Sequence, residues 1–593
     1  MSASPTARAS VPRLRPRPPN EPRSLAANVR RGAIWSFAGT IVLRFSSIGS
    51  TAIVARILSP HDFGIFAVAT ITFTIVTALG EFGVTSCLSR ADFEVAKLAP
   101  TLWSVSLSSS LLMAGALYGF ATPISTALGS GDAAHPVQVM SIVMVIWGIT
   151  AVPTAQCVRE FRTDVLFWAN ALSFIPGTAL LLFLAKHGDG AMAFAWSRVA
   201  GQATSCAVVL LSVSKLYLPR ITRSALSILF RVGLPLAGAN FVGYILQNVD
   251  YALISRLLGP VLLGAYVLAF NAASWSMALL GSALNNVSMP AFSRVKHDVV
   301  RLRDAMADGV RLVMLIAAPM CMIVMALARP LILTLYGGRW ASSNTVLAIL
   351  SGYGLISVLG VLFSNMLAAL GRSTLVLAIQ LIWLVGLIPA MAIGVHLDGI
   401  VGAAIAHVVI VGPVVLPCYL IALKRVTGVR LTQLAKAALP TLAVATAAGI
   451  VAWVTAGMFE SPLVQLIAGG VVGGGIYATV MVPQLILLVT RGRTISPKMA
   501  KVLTLYYRVG RTLGLRIGPP PRHAASRRRY RLAADWKAYL GDHLLANGLV
   551  ERRVYFRERQ CRDLCVAAFP NRPVIFLSPL NRIFAGEHSR RQQ

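Results

Sequence analysis

Runs of about 20 apolar residues recur along almost the whole chain, and no other feature limits its fold so strongly. A helix of that length crosses the roughly 30 Å hydrocarbon core of a bilayer and satisfies its own backbone hydrogen bonds on the way. The expected spans are 31–56, 63–86, 101–125, 136–156, 164–186, 191–214, 225–249, 262–290, 309–335, 342–370, 374–394, 399–423, 433–457 and 462–490. The links between them are short and carry Gly, Pro or charge, as in Ser59-Pro60-His61-Asp62 and Gly129-Ser130-Gly131. Only 13% of the residues are charged, against roughly 25% in soluble domains. A soluble chain of this length splits into domains joined by polar linkers, and no such linker precedes residue 491. The expected fold is an all-α polytopic membrane protein with about fourteen transmembrane helices.

The formal charge of +33 would point a soluble chain toward nucleic acid. Here the basic residues cluster between spans, on alternating sides, so no nucleic-acid partner is expected. Cytoplasmic loops keep the excess of Lys and Arg. With the N-terminus inside, roughly 47 of the 54 lie inside, about 5 outside and about 2 within spans. The inside set includes Arg220, Arg223, Arg294, Lys296, Arg301, Arg303, Lys424 and Arg425, whereas the outside loop 126–135 has none. An even number of spans returns the C-terminus to the cytoplasm. The seven cysteines have neither zinc-site spacing nor a disulfide pattern. No nucleotide loop, metal cluster or catalytic set is visible. Neither a cofactor nor an enzymatic activity is expected.

Residues 1–30 are rich in Arg, Pro and Ser, with Glu21 their only acid, and are expected to form a disordered basic arm. The apolar run that follows is too long for a cleaved signal peptide. Residues 491–593 form a basic tail expected to be cytoplasmic. In it 496–518 places apolar Met499, Val502, Leu503, Tyr506, Val509 and Leu513 at helical spacing opposite Lys and Arg, the pattern of an interfacial helix on anionic lipid. Beyond Pro519-Pro520-Pro521 the Arg-rich segment is open to three readings, a small cytoplasmic module, a disordered tail or a nucleic-acid-binding patch, of which disorder with some helix near 531–548 is the one expected.

An internal repeat sets the architecture. TAIVARILSPHDFGIFAVA (51–69) aligns with YALISRLLGPVLLGAYVLA (251–269). Ala52, Arg56, Leu58, Pro60, Gly64 and Ala69 match Ala252, Arg256, Leu258, Pro260, Gly264 and Ala269. The next span ends CLSR (87–90) in one copy and AFSR (291–294) in the other. About six spans separate the copies, so both cross the membrane in the same direction. Two six-helix bundles, 31–214 and 225–423, related by an axis along the membrane normal, are expected, with two further helices in 433–490.

ARILSPHDFGIFAVA and NVDYALISRLLGPVLLGAYVLAFNAA (248–273) resemble segments of the Wzx-type polysaccharide flippases, within the multidrug/oligosaccharidyl-lipid/polysaccharide exporter superfamily. LARPLILTLYGGRW (327–340), AALGRSTL (368–375) and PTAQCVREFRTD (153–164) are similar to its later turns and its loop after the fourth helix. The resemblance covers roughly 28–490; the tail departs from the family pattern. It implies translocation of undecaprenyl-diphosphate-linked oligosaccharide across the bacterial inner membrane by alternating access, beside glycosyltransferases and a polysaccharide polymerase. The alternatives are a cation-coupled small-molecule antiporter of the same superfamily and a membrane glycan polymerase or ligase. The antiporter reading expects deep carboxylates, whereas the deep charges here are arginines. The enzyme reading expects a substantial outer loop, and no outer loop exceeds roughly fifteen residues.

An Arg at the bilayer centre costs roughly 2.5–3.5 kcal/mol to insert, so each one asks for a reason. Arg44 lies roughly 18 Å above the cytoplasmic edge and Arg198 roughly 20 Å above it, in the same bundle. Their forked donors suit diphosphate oxygens; the structural alternative is pairing with helix carbonyls or snorkelling. Glu81 falls within roughly 3–5 Å of the cytoplasmic edge, too far from Arg44 to pair with it. Glu81 and Asp250 are candidates for coupling or gating, Asp250 by default as a solvated cap or gate residue near the outer face. Asn285 stands where Glu81 maps in the second copy. Asn240, Gln247, Asn248, Asn271 and Asn285 are candidates for lining a polar cavity or for interhelical hydrogen bonds. His407 stands alone on an apolar span and is expected to be neutral and hydrogen-bonded.

Overall fold

A computed structural model describes residues 46–80, 95–160, 162–213, 220–222, 226–227, 229, 234–295, 298–489, 554–556 and 574–576. The chain divides into two units, Met1–Leu488 and Val489–Gln593.

The first unit is helical throughout its described part. Its elements are α1 (46–57), α2 (Pro60–Gly80), α3 (Val95–Gly119), the short α4 (Ala121–Ala127), α5 (Ala134–Arg159), α6 (Thr163–His187) and α7 (Ala191–Ser212). The second half has α8 (Leu234–Val295), α9 (Val299–Ala326), the short α10 (Ala328–Leu335), α11 (Ser343–Ala369), α12 (Ser373–Ile410) and α13 (Leu416–Thr427). Two more helices follow, α14 (Leu431–Gly457) and α15 (Pro462–Val489). Ten helical stretches among the described residues are long and apolar enough to cross a membrane. Two of the longest helices are broken inside, α8 at Gly259 and α12 at Asp398 and Gly399. Large apolar side chains such as Leu112, Ile175, Trp453 and Val471 stay exposed, as lipid-facing residues do.

Two expected spans end early. The stretch 101–125 stops as a helix at Gly119 and 309–335 stops at Ala326, and each remainder is a separate short helix, α4 or α10. Pro123 and Pro330 sit in the first turn of these short helices, where proline lacks the N–H that would have continued the preceding helix. The two short helices hold corresponding places in the two bundles, so the repeat extends beyond the segment legible in sequence.

In the first bundle α3 packs on α5, α5 on α7 and α7 on α6; in the second α11 packs on α8, α9 and α12. The bundles meet along α2 and α8. The extra pair docks on the second bundle through α14 against α9. Gly469 and Gly473 of α15 leave room for the backbone of α14 at Ala452 and Ala448, a close approach suited to membrane helices. The Tyr477 hydroxyl donates to the Leu315 carbonyl oxygen at 2.7 Å and ties α15 to α9.

In the second unit two short segments beyond Pro519-Pro520-Pro521 depart from the disorder expected there. Val554–Phe556 (β1) and Val574–Phe576 (β2) form a two-stranded parallel pair with Tyr555 opposite Ile575. Both segments are β-branched and aromatic, which favours extended backbone. The expected arm 1–30, interfacial helix 496–518 and segment 531–548 lie outside the described residues.

Candidate functional site: an inter-bundle seam and a buried polar cluster

The two repeat segments lie against each other. In the first copy the turn is held by a reciprocal cap: Asp62 Oδ2 accepts from Ser59 N at 2.9 Å and Ser59 Oγ at 2.6 Å, while Asp62 N donates to Ser59 Oγ at 3.3 Å. The second copy has no such box; Gly259 makes its turn in the left-handed region, at φ 81°. A methyl group on Gly64 would fall on the Pro260 carbonyl, and one on Gly264 would fall on the Pro60 carbonyl. That reciprocity is what a two-fold relation between the copies produces. It also explains why Gly keeps register in both: any Cβ there meets backbone, which has nowhere to move.

Side chains lock the seam on both flanks. Arg56 donates to the Thr334 and Leu335 carbonyl oxygens at the end of α10, where a cation also meets the negative end of the helix. Trp340 Nε1 donates to the Ala55 carbonyl at 2.8 Å, and its ring meets Phe63 edge-on at 4.9 Å. On the mirrored flank Ser255 Oγ donates to the Leu128 carbonyl at 2.6 Å, just beyond α4. Each bundle thus seats its repeat turn on the short-helix end of the other. Gly190 touches Asp62 and Gly399 touches Leu258, so the turns after α1 and α6 and the break inside α12 gather at this same end.

Nine residues before Gly259, α8 carries a buried polar cluster. Asp250 is 1% exposed and His407, from α12, is 3% exposed. His407 Nε2 stands 3.5 Å from Asp250 Oδ2, close enough for electrostatic attraction, yet neither ring nitrogen makes a hydrogen bond. Tyr266 donates to Asp250 Oδ2 at 3.3 Å, and Tyr251 N donates to Asp250 Oδ1 at 2.9 Å. Tyr353 of α11 packs its ring 4.7 Å from that of His407, and Phe270 lies at 6.2 Å. One turn beyond His407 the backbone widens into a π-helical stretch, Val411–Val415, which contains Pro413. Of the two default readings of Asp250, the solvated outer cap does not hold, because α8 continues past it and closes it in, while the gate pair stays open. Nor is His407 alone or hydrogen-bonded as expected.

The other candidates separate. Arg198 on α7 is exposed, with its guanidinium carbon 5.7 Å from the centre of the Phe73 ring on α2, and among the described residues no carboxylate pairs with it. Asn248 and Gln247 donate to carbonyls of their own helix, Tyr244 at 2.8 Å and Gly243 at 3.2 Å. Gln247 and Asn271 are exposed. Arg44 and Glu81, and the side chains of Asn240 and Asn285, lie outside the described residues. Sequence reasoning missed Trp340, Ser255, Leu128 and Tyr353. Only the paired glycines carried a signal of the seam.

A family model described as "Polysaccharide biosynthesis protein" matches residues 53–345. The succinoglycan biosynthesis transport protein ExoT of Rhizobium meliloti (strain 1021) is 31% identical over 336 residues, 55% of this chain and 66% of that protein, just under two thirds of its length. The lipopolysaccharide biosynthesis protein WzxC of Escherichia coli (strain K12) is 24% identical over 444 residues, 72% of this chain and 89% of that one. Among solved structures, the lipid II flippase MurJ in an inward closed conformation superposes with a TM-score of 0.59 at 15% identity, covering 75% of this chain and 99% of that chain. An inward-facing MATE family multidrug resistance transporter gives 0.51 at 15% identity, over 64% and 94%. At such identities these two likenesses speak for the fold alone.

Proposed function

We propose that this chain is a polysaccharide transport protein of the Wzx type, like the relatives it resembles, and that it flips a lipid-diphosphate-linked oligosaccharide across the bacterial inner membrane. The carrier fits the undecaprenyl-diphosphate type, and the glycan feeds exopolysaccharide, capsule or lipopolysaccharide assembly. Glycosyltransferases supply the substrate and a polymerase consumes it. The protein binds and moves its cargo without making or breaking covalent bonds.

The observation that carries the reading is the reciprocal seam of Gly64 on Pro260 and Gly264 on Pro60. Two like bundles that touch backbone to backbone at one end can rock about that contact. The basic-residue bias assigns this end to the periplasm, with both termini in the cytoplasm. The described conformation is then closed outside. Opening would separate the seam and expose a path between α2 and α8. Arg198 and Arg44 are the cations proposed to receive the diphosphate, since planar guanidinium forks match phosphate oxygens. Glu81 is proposed as a cytoplasmic vestibule residue, and Gln247 and Asn271 as exposed groups for sugar hydroxyls.

The test is a chromosomal deletion with lipid-linked oligosaccharide assayed on each side of the inner membrane. Loss of the flippase should remove surface polysaccharide and trap single repeat units on the cytoplasmic leaflet. Repeat units accumulating outside would indicate a lost polymerase instead, and an unchanged surface would reject transport of this cargo.

A further inference from the structure

We propose that the elbow between α13 and α14 binds one anionic phospholipid, its phosphate held by Lys424, Arg425, Arg430 and Lys436 and its chain lying along α14. Such a site needs only a chain set in the membrane and is independent of the cargo proposed above. The elbow lies at the opposite end of the helices from the seam. From the break at Gly399, beside the seam, the chain runs through about 28 residues of helix, roughly 42 Å, to Thr427.

The turn itself is fixed. Thr427 Oγ1 donates to the Leu423 carbonyl at 2.8 Å and accepts from Val429 N at 3.3 Å, and Gly428 turns the chain in the left-handed region at φ 64°. From α9, Arg303 Nε donates to the Thr427 carbonyl at 3.1 Å, and its guanidinium lies against Gly428, where a Cβ would displace it. A cation thus meets the negative end of α13.

The four proposed ligands fall within thirteen residues of sequence, and all are exposed. Between Asp398 and Glu460 the sequence has no carboxylate. On α9, Arg301 pairs with Asp298 at 3.1 Å and Arg311 with Asp308 at 3.4 Å. Together with Arg303 the elbow therefore sets five cations against the one remaining acid of α9, Asp304. Unpaired cations gathered at one turn repel one another, and a bound anion relieves that repulsion.

The preference of basic residues for one side of the membrane accounts for cations at this end, but not for what lies beneath them. One exposed face of α14 carries Thr432, Lys436, Leu439, Ala443, Ile450 and Val454 at helical spacing. It is polar in its first turns and apolar afterwards. On α13 the same order recurs, with exposed Ile421 one turn deeper than Arg425. Cations at headgroup level above a narrow apolar strip match a phosphate with an acyl chain below it. A zwitterionic headgroup brings an ammonium that these cations repel, whereas phosphatidylglycerol brings none.

The test is native mass spectrometry of the full-length protein released from nanodiscs of equal parts phosphatidylglycerol and phosphatidylcholine. The first bound lipid should be phosphatidylglycerol by at least about tenfold, since each basic residue near an anionic surface contributes roughly fivefold. Combining Lys424→Gln, Arg425→Gln and Arg430→Gln should cut that preference to within about twofold. Combining Arg527→Gln, Arg528→Gln and Arg529→Gln in the tail removes the same charge and should preserve it. Ala443→Trp, which fills the strip without changing charge, should lower occupancy at least about threefold. Equal losses in the elbow and tail variants would show diffuse surface attraction and overturn the site. Displacement of the lipid by excess inorganic phosphate, or full occupancy with Ala443→Trp, would leave an anion site without a lipid. Retention of a polyprenyl diphosphate in preference to phosphatidylglycerol would likewise overturn the proposal and give the elbow to the cargo.

Discussion

Arg56 of the first bundle reaches the Leu335 carbonyl at the end of the second bundle's short helix, Nε to oxygen 3.2 Å. Among the described residues its repeat counterpart, Arg256, makes no equivalent bond; the mirrored flank uses its neighbour Ser255 on Leu128. The sequence repeat therefore specifies backbone contact at the seam, while the side-chain locks on its two flanks have diverged. An arginine lock is electrostatic and partly solvated, and a serine lock is short and neutral. That asymmetry lets the two flanks be tested separately.

Gly64→Ala should be severe despite its size. The added methyl meets the Pro260 carbonyl, and backbone must move to admit it. Overpacking of this kind costs about 1–3 kcal/mol, enough to shift a two-state equilibrium by roughly fivefold to over a hundredfold. The expected outcome is an open-biased protein with normal abundance and impaired export. Gly264→Ala should match it, because the contact is reciprocal. Full export with either alanine would remove the seam from the transport cycle.

Arg56→Ala should weaken closure more gently. A cation at an exposed helix C-terminus contributes about 1 kcal/mol, so the closed fraction should fall roughly fivefold. High salt should imitate the mutation in the parent and have little effect in the variant. Arg56→Lys should recover part of the loss, since an ammonium cannot span two carbonyls as a guanidinium does. Ser255→Ala should show no such salt dependence.

Arg198→Ala and Arg44→Ala should abolish export while leaving insertion and abundance near normal. Lysine should rescue each only partly. For Arg198 the measurement has a structural control: Phe73→Leu removes the ring beneath the guanidinium without touching its charge. If Phe73→Leu is as damaging as Arg198→Ala, the arginine acts through packing rather than through an anion.

Cysteine labelling in intact cells should mark 126–135 and 395–398 from outside and 292–308 only after lysis. The turns after α1 and α6 and the break inside α12 share one end of the helices, so they must all label from the same side as 126–135. Labelling of 126–135 only after lysis would invert the molecule and assign the closed seam to the cytoplasmic face.

Much of the helical architecture could be read directly from the sequence because its causes are local. A run of apolar residues determines a span by transfer energy alone. A proline in the first turn of α4 or α10 withholds one N–H from the ladder and favours a break there, whereas Pro153, Pro176 and Pro440 lie inside continuous helices, so proline alone does not set where a span ends. The register of Gly64 with Gly264 and Pro60 with Pro260 revealed two like bundles, because both copies answer the same steric demand. The strand pair at 554–556 and 574–576 is not legible in the sequence, because strand pairing depends on a partner distant in the chain.

What tertiary structure decided are the relationships between residues far apart in the chain. Asp250 read as a solvated end and His407 as a solitary histidine, because the burial of each depends on helices that sequence does not place. Packing of α8 against α11 and α12 brings the two within 3.5 Å and excludes water from both. The same holds for Trp340 on Ala55 and Arg56 on Leu335: a backbone carbonyl leaves no mark in a sequence, so its partner cannot be read there. Hydropathy and sterics act residue by residue and survive in the one-dimensional record; charge pairing and hydrogen bonding act across space and exist only once the helices have packed.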